Sequence, residues 1–196
     1  MVGRSLNMLF PPRTAQKGDL LLSVKDLTRA GEFKDISFEV HAGEIVGLAG
    51  LIGSGRTELA KALFGATCPN KGEIKISNQK MKLFCHPREA ISHGLVYLSE
   101  DRKQEGLILL LSVRENISLP IVKKISQNLF VKRKEEQNIV DSLIEKLKIK
   151  VFSRDQVVET LSGGNQNKVV ITKLLLTNDQ VFIFDEPTRG IDVGAT

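Results

Sequence analysis

Three short stretches of this chain have residue types and spacing that suit the handling of phosphate groups. The first is Gly50-Leu51-Ile52-Gly53-Ser54-Gly55-Arg56-Thr57, which fits G-x-x-x-x-G-K-[ST] with arginine in the lysine position. A strand, a glycine-rich turn and a helix start make an anion site. Glycine lets backbone N–H groups turn inward, and the helix N-terminus adds partial positive charge. Gly50 and Gly55 hold the ends of the loop, and Thr57 can place its hydroxyl on Mg²⁺. The dinucleotide pattern G-x-G-x-x-G fails, because counting on from Gly53 and Gly55 puts Glu58 in the third glycine position.

The second stretch is Asp185-Glu186, at the end of the apolar run Val181-Phe182-Ile183-Phe184. A carboxylate closing a buried strand suits Asp185 to hold Mg²⁺ through water. Glu186 is then placed to polarise an attacking water. The third stretch is Leu161-Ser162-Gly163-Gly164-Asn165-Gln166. Ser162 is a candidate N-cap, and two glycines let a backbone approach a ligand closely. Taken singly, the first stretch reads as a tight turn, the second as a strand cap and the third as a helix cap. A simple cap, however, does not explain two consecutive glycines that weaken a helix start.

Arg56 departs from the pattern. Lysine delivers a compact charge to the β- and γ-phosphates, whereas arginine is a wide planar fork. Nucleotide binding is expected to survive and γ-phosphate geometry to suffer. A loss of about 2.7 kcal/mol in transition-state stabilisation slows hydrolysis roughly a hundredfold.

The elements that must position these residues follow from hydrophobic period and from Gly and Pro punctuation. Leu20 to Leu27 is an apolar run. Ile36, Phe38 and Val40 alternate with Ser37 and Glu39, the pattern of a half-buried strand. His41 to Glu44 reads as a turn and Ile45 to Ala49 as a short buried strand. Thr57 to Phe64 is a helix ended by Gly65. Ile74 and Ile76 mark another strand. Arg88 to His93 is a short helix with Pro87 at its start, ended by Gly94, and Leu95 to Leu98 is a further buried strand. Ile139, Val140, Leu143, Ile144 and Leu147 form one apolar stripe at helical spacing, with Lys and Glu on the other face. That stripe reads as the core face of a helical subdomain. A helix then runs from the Leu161 segment through Leu176. Strands alternating with helices point to α/β architecture.

Bulk properties narrow the function classes. A chain of 196 residues supports one sizeable domain, and 41% hydrophobic content suits a soluble fold. No apolar run approaches the roughly 20 residues of a membrane-spanning helix, and no secretory signal is visible. A cytosolic domain, or one on the cytosolic face of something else, is expected. The net charge is +5. Its tightest basic cluster, Lys132-Arg133-Lys134, runs straight into Glu135-Glu136 and reads as a solvated helix start. With no Trp and one Tyr there is no base-stacking platform, so nucleic acid is not an expected partner. Cys68 and Cys85 show no metal-like spacing and read as two reduced, partly buried thiols.

The three motifs in this order resemble the ATP-binding-cassette (ABC) ATPases. Within that group the chain is similar to the second nucleotide-binding domain of tandem monosaccharide importers of the ribose, xylose and galactoside type. The similarity is carried by Gly47 to Ala60, Ser99-Glu100-Asp101-Arg102-Lys103, Leu161 to Gln166 and Asp185 to Ala195. Met1 to Arg4 look like the last residues of a preceding domain, before a linker at Phe10-Pro11-Pro12.

The resemblance implies a P-loop NTPase fold with an antiparallel β subdomain and a helical subdomain at about residues 105–160. Residues 1–19 would be the tail of a preceding domain and a linker, and 20–196 an incomplete cassette. It implies ATP and Mg²⁺ as ligands, Glu100 at the Q-loop position and Asp192 as the D-loop aspartate. Gly50, Leu51, Ile52, Gly53, Ser54, Gly55, Arg56 and Thr57 would surround the phosphates. Ser162, Gly163, Gly164 and Gln166 would close over nucleotide held by a partner domain. Metal would fall to Thr57 and Asp185, and catalysis to Glu186. The implied partners are a first nucleotide-binding domain or separate ATPase partner, membrane permease subunits, and indirectly an extracytoplasmic sugar-binding protein. The implied location is peripheral, on the cytoplasmic side of the cell membrane.

The family's switch histidine lies beyond the D-loop, whereas His41, His86 and His93 all precede Asp185. Phe33 is the candidate for stacking on adenine. These features make the chain look like an interior piece of a longer protein. Other readings stay open: a nucleotide-holding regulatory module that supplies a signature segment, a non-transport ATPase, or an inactive truncated product.

Overall fold

The structure is a computed structural model that describes residues 15–77, 79–81, 83–177 and 180–187. The chain divides between His93 and Gly94 into two compact units.

The first unit is built on an antiparallel sheet with strand order β2-β1-β3-β4, formed by β1 (Leu20–Arg29), β2 (Phe33–His41), β3 (Lys71–Ile76) and β4 (Gln79–Met81). Leu22 and Val24 of β1 point inward with the period of two that a strand imposes. Leu27 breaks that period and is still fully buried. A bulge accounts for it: between Val24 and Leu27 the register with β2 slips, and Asp26 adopts φ 49°. The extra residue returns Leu27 to the core face. On β3 the facing residue is Gly72, at φ 120°, where a Cβ would lie 2.6 Å from the Leu27 Cα. On β2, Ile36, Phe38 and Val40 are half-buried, as the alternation predicts.

Helix α1 (Arg56–Phe64) buries Leu59, Ala60, Ala62 and Leu63 and stops at Gly65, whose left-handed φ of 76° lets its N–H reach the Ala62 carbonyl. Helix α2 (Pro87–Ser92) begins on proline and buries Ala90. Two expectations fail in this unit. Ile45 to Ala49 is not a strand, and Ile45 is 98% exposed. Among the described residues no neighbouring strand takes up its N–H and C=O groups, so its apolar side chains stay in solvent. Cys68 and Cys85 are not reduced thiols but a disulfide, their Cα atoms 4.5 Å apart. The bond ties the segment leaving α1 to the one leading into α2.

In the second unit β5 (Leu95–Leu98) pairs in parallel with β8 (Val181–Phe184), Leu95 opposite Val181 and Leu98 opposite Phe184. Helices α3 (Val113–Ser118), α4 (Arg133–Lys146) and α5 (Gly163–Leu175) share a core with β5 through Leu98, Val113, Ile117, Val140, Val158, Val169 and Val170. The predicted stripe is the inner face of α4: Val140 is fully buried, and Leu143, Ile144 and Leu147 pack against the same core. Glu136 departs from the solvated-face pattern. It is 4% exposed and accepts from Arg114 Nη1 at 2.8 Å and Ser118 Oγ at 2.6 Å. Helix α3 carries a full capping box of Ser112 and Glu115. A small hairpin, β6 (Ser126–Gln127) and β7 (Phe130–Val131), leads into α4. Among the described residues no helix is long and apolar enough to cross a membrane.

Candidate functional site

The glycine-rich loop lies in the first unit. Ser54 N–H donates to the Leu51 carbonyl at 3.1 Å, which closes a tight turn. Gly53 and Gly55 hold φ of 78° and 85°, where side chains are strained. A Cβ on Gly50 would meet Ser54 Oγ at 2.4 Å, and one on Gly55 would meet the Glu32 carbonyl oxygen at 2.6 Å. The loop therefore folds back over itself and against the β1–β2 turn. Gly55 is the N-cap of α1, and no side chain caps that helix. The first-turn N–H groups are left for an outside acceptor, and a phosphate group suits them. Arg56 and Thr57 are half-buried in that first turn, and Leu51 and Ile52 are exposed.

The other candidates lie in the second unit. Asp185 directly follows β8, and its N–H donates to the Leu98 carbonyl at 2.9 Å. Tyr97, on β5, donates its hydroxyl to Asp185 Oδ2 at 3.0 Å. Burial raises the Tyr97 hydroxyl far above its ordinary value; the Asp185 charge adds to this and a hydrogen bond with Ser99 opposes it. The phenol stays a donor. Glu186 adopts φ 44°, a backbone state non-glycine residues rarely occupy. Asn167 of α5 donates to the Pro187 carbonyl and anchors the same turn. Glu100 sits in the loop after β5, where Asp101 N–H donates to Ser99 Oγ at 3.2 Å. Asp101 Oδ1 then caps a short π-helical turn at Arg102–Gly106 through the N–H groups of Lys103 and Gln104. Lys173 of α5 holds the end of that turn, donating to the Gly106 carbonyl at 2.9 Å, and burial lowers its ammonium pKa.

At the start of α5, Ser162 occupies the predicted N-cap position but makes no capping bond. Its hydroxyl accepts instead from Asn165 Nδ2 at 3.0 Å, and Asn165 Oδ1 accepts from Lys150 N–H at 2.9 Å. The N-terminus of α5, Gly163 and Gly164 included, thus keeps first-turn N–H groups without a side-chain cap, as α1 does. Gln166 is turned inward, 3% exposed, with Nε2 donating to the carbonyls of Val158 and Glu159 at 3.2 and 3.4 Å. The amide at the surface of this segment is that of Asn165.

The structure thus holds Asp185 against β5, the strand that leads into the Glu100 loop, through the Tyr97 hydroxyl and the Leu98 carbonyl. The glycine-rich loop belongs to the other unit, and Asp192 lies outside the described residues. Among the described residues no three His, Cys, Asp or Glu side chains gather around a possible metal position. A cation that keeps several waters and phosphate oxygens, as Mg²⁺ does, needs few protein donors, and within this unit Asp185 offers it one carboxylate. Sequence reasoning missed Tyr97, Asn165 and Asn167. Only the helical phase of α5 signals any of this: Val169 and Val170 lie three and four residues beyond Gln166, on its face.

Comparison with known proteins separates fold from family. The ATP-binding cassette MJ0796, solved as a dimer in a post-hydrolysis state bound to ADP and Pi, matches with a TM-score of 0.73 over 89% of this chain and 77% of its own. The cassette MJ1267 of an ABC transporter also matches with a TM-score of 0.73, over 92% and 73%. Identities of 22% and 23% make these likenesses of fold, and the fold is that of an ATP-binding cassette. The ribose import ATP-binding protein RbsA of Clostridium tetani is 50% identical over the whole of this chain. RbsA of Caldanaerobacter subterraneus subsp. tengcongensis is 49% identical over the same span. The chain spans 39% of the length of each. The family model described as ABC transporter matches residues 33–189. A match of that extent, with the three phosphate-directed stretches inside it, means that this chain belongs to the ABC transporter family.

Proposed function

We propose that this chain is part of the ATP-binding subunit of an importer that couples ATP binding and hydrolysis to monosaccharide uptake. One observation carries the reading: a chain with all three phosphate-directed stretches is half identical, along its whole length, to a ribose import ATP-binding protein. In this reading residues 1–19 are a linker from a preceding domain, 20–196 form an incomplete cassette, and about 105–160 form its helical subdomain.

Gly50 to Thr57 hold the phosphates through backbone N–H groups and Arg56. Thr57 and Asp185 are the residues that would hold Mg²⁺, and the ion would supply charge neutralisation to the phosphates. Glu186 orients and polarises the attacking water. Glu100 reports on the site from the loop after β5, and Asp192 belongs to the seam between cassettes. Ser162, Gly163 and Gly164 serve the phosphate loop of a partner cassette, while the inward-turned Gln166 braces the segment from beneath. Head-to-tail pairing makes two composite sites. The one that uses this chain's Ser162-Gly163-Gly164 turns over, and the one that uses Arg56 is slow. The assembly sits against permease subunits on the cytoplasmic face of the membrane and receives sugar from a binding protein.

The test is reconstitution of the intact ATPase with its permease in vesicles, with ATP-driven ribose uptake as the readout. Gly163→Asp is expected to abolish uptake. Arg56→Lys is expected to raise hydrolysis at the slow site by up to about a hundredfold, the counterpart of about 2.7 kcal/mol. Vesicles that show no nucleotide-dependent uptake overturn the reading. Uptake unaffected by Gly163→Asp overturns the composite-site account.

A further inference from the structure

We propose that Tyr97 is a positioning residue for the Asp185 carboxylate. Its hydroxyl fixes that carboxylate through Oδ2. The proposal rests on the reading of Asp185 as the metal-holding carboxylate.

The geometry begins with the parallel pair. Tyr97 lies opposite Ile183. With a side-chain period of two, Tyr97, Ile183 and Asp185 therefore belong to one face. The phenol reaches one step beyond its own register and donates to Asp185 Oδ2 at 3.0 Å. The Asp185 N–H donates to the Leu98 carbonyl at 2.9 Å, so the carboxylate's own backbone is held on β5 beside the tyrosine.

A carboxylate offers two oxygens and about four lone-pair sites. Committing Oδ2 to a fixed donor sets the rotation of the group and leaves Oδ1 for a cation. Outer partners of this kind orient metal-binding carboxylates, and their loss commonly weakens metal affinity by 10–100-fold.

The sequence provides its own reporter. Tyr97 is the sole tyrosine and there is no tryptophan, so all tyrosine emission from this chain comes from the proposed bond. A phenol bonded to a carboxylate emits weakly, because the excited hydroxyl passes its proton to the acceptor.

The test uses the full chain, Mn²⁺ as the metal probe, a non-hydrolysable ATP analogue, and free Mn²⁺ counted by electron paramagnetic resonance. Tyr97→Phe keeps the ring and removes the hydroxyl. It is expected to weaken Mn²⁺ binding about tenfold or more and to leave metal-free analogue binding unchanged. In an Asp185→Asn background it is expected to add nothing further. Tyr97→Phe binding Mn²⁺ within twofold of wild type, while Asp185→Asn loses it, overturns the positioning role and leaves the metal reading standing. Mn²⁺ binding unaffected by Asp185→Asn overturns both. If Tyr97→Phe fails to fold, emission still decides. Asp185→Asn is expected to brighten the tyrosine signal of the folded chain, and an unchanged signal overturns the bond.

Discussion

Gly53 and Gly55 offer a controlled comparison within the glycine-rich loop. Both have left-handed backbones, at φ 78° and 85°, so an alanine at either position carries the same strain of roughly 1 kcal/mol. Their surroundings differ. A Cβ on Gly53 meets nothing within 4 Å, whereas one on Gly55 falls 2.6 Å from the Glu32 carbonyl oxygen. That oxygen is backbone, in a turn braced by the Arg29–Glu32 ion pair, and cannot rotate away. Overpacking of this kind costs about 1–3 kcal/mol. Gly53→Ala is therefore expected to lose about 1 kcal/mol and Gly55→Ala about 3 kcal/mol. With a urea slope of about 2 kcal/mol per molar, the midpoints differ by about 1 M. Urea unfolding of the full chain, followed by circular dichroism, reads this directly. Midpoints that agree within about 0.25 M refute the close approach of loop and turn. A larger loss for Gly53→Ala than for Gly55→Ala refutes the loop conformation itself.

Two further predictions concern the second unit. Glu136→Ala strips the buried partner from Arg114, whose guanidinium keeps Asp155 at 2.8 Å. A broken buried pair costs 3–5 kcal/mol, and the remaining partner puts this one at about 3 kcal/mol, measured by urea unfolding. Ser112→Ala removes the capping box of α3 and is expected to cost about 1 kcal/mol at neutral pH. Hydrogen bonds from the Ser112 hydroxyl first, and then its backbone N–H, hold Glu115 below its ordinary pKa. That stabilisation is full above the unfolded value near 4.5 and fades as pH falls through the lower folded value. The difference between wild type and Ser112→Ala is therefore expected to shrink in acid unfolding curves taken below about pH 4; a constant difference refutes the assignment.

Much of the scaffold was readable from punctuation and period. Gly65, Pro87 and Gly94 bound their helices at or next to the expected residues because each imposes a local backbone state that tertiary context does not override. The α4 stripe was readable because five apolar residues agree on one face. What escaped depends on partners distant in sequence. Ile45 to Ala49 has strand composition, yet a strand exists only where another takes up its hydrogen bonds. Cys68 and Cys85 lie 17 residues apart with no pairing signature, and only the fold sets their Cα atoms side by side. Ser162 is an ideal cap by type, but Asn165 competes for its hydroxyl. Tyr97 carries no motif at all; its importance comes from the register of β5 on β8, across 88 residues of chain.

The bulge in β1 has a consequence for how this sheet can change through descent. Asp26 adds one residue to β1, and Gly72 on β3 yields the room that the displaced Leu27 backbone occupies. The bulge is not viable without the glycine. Losing Asp26 turns Leu27 toward solvent, and any side chain at Gly72 collides with a strand that still contains the bulge. A lineage that shortens β1 here frees the Gly72 position, and one that keeps the length must keep the glycine. Length variation at Asp26 and residue identity at Gly72 are therefore expected to change together.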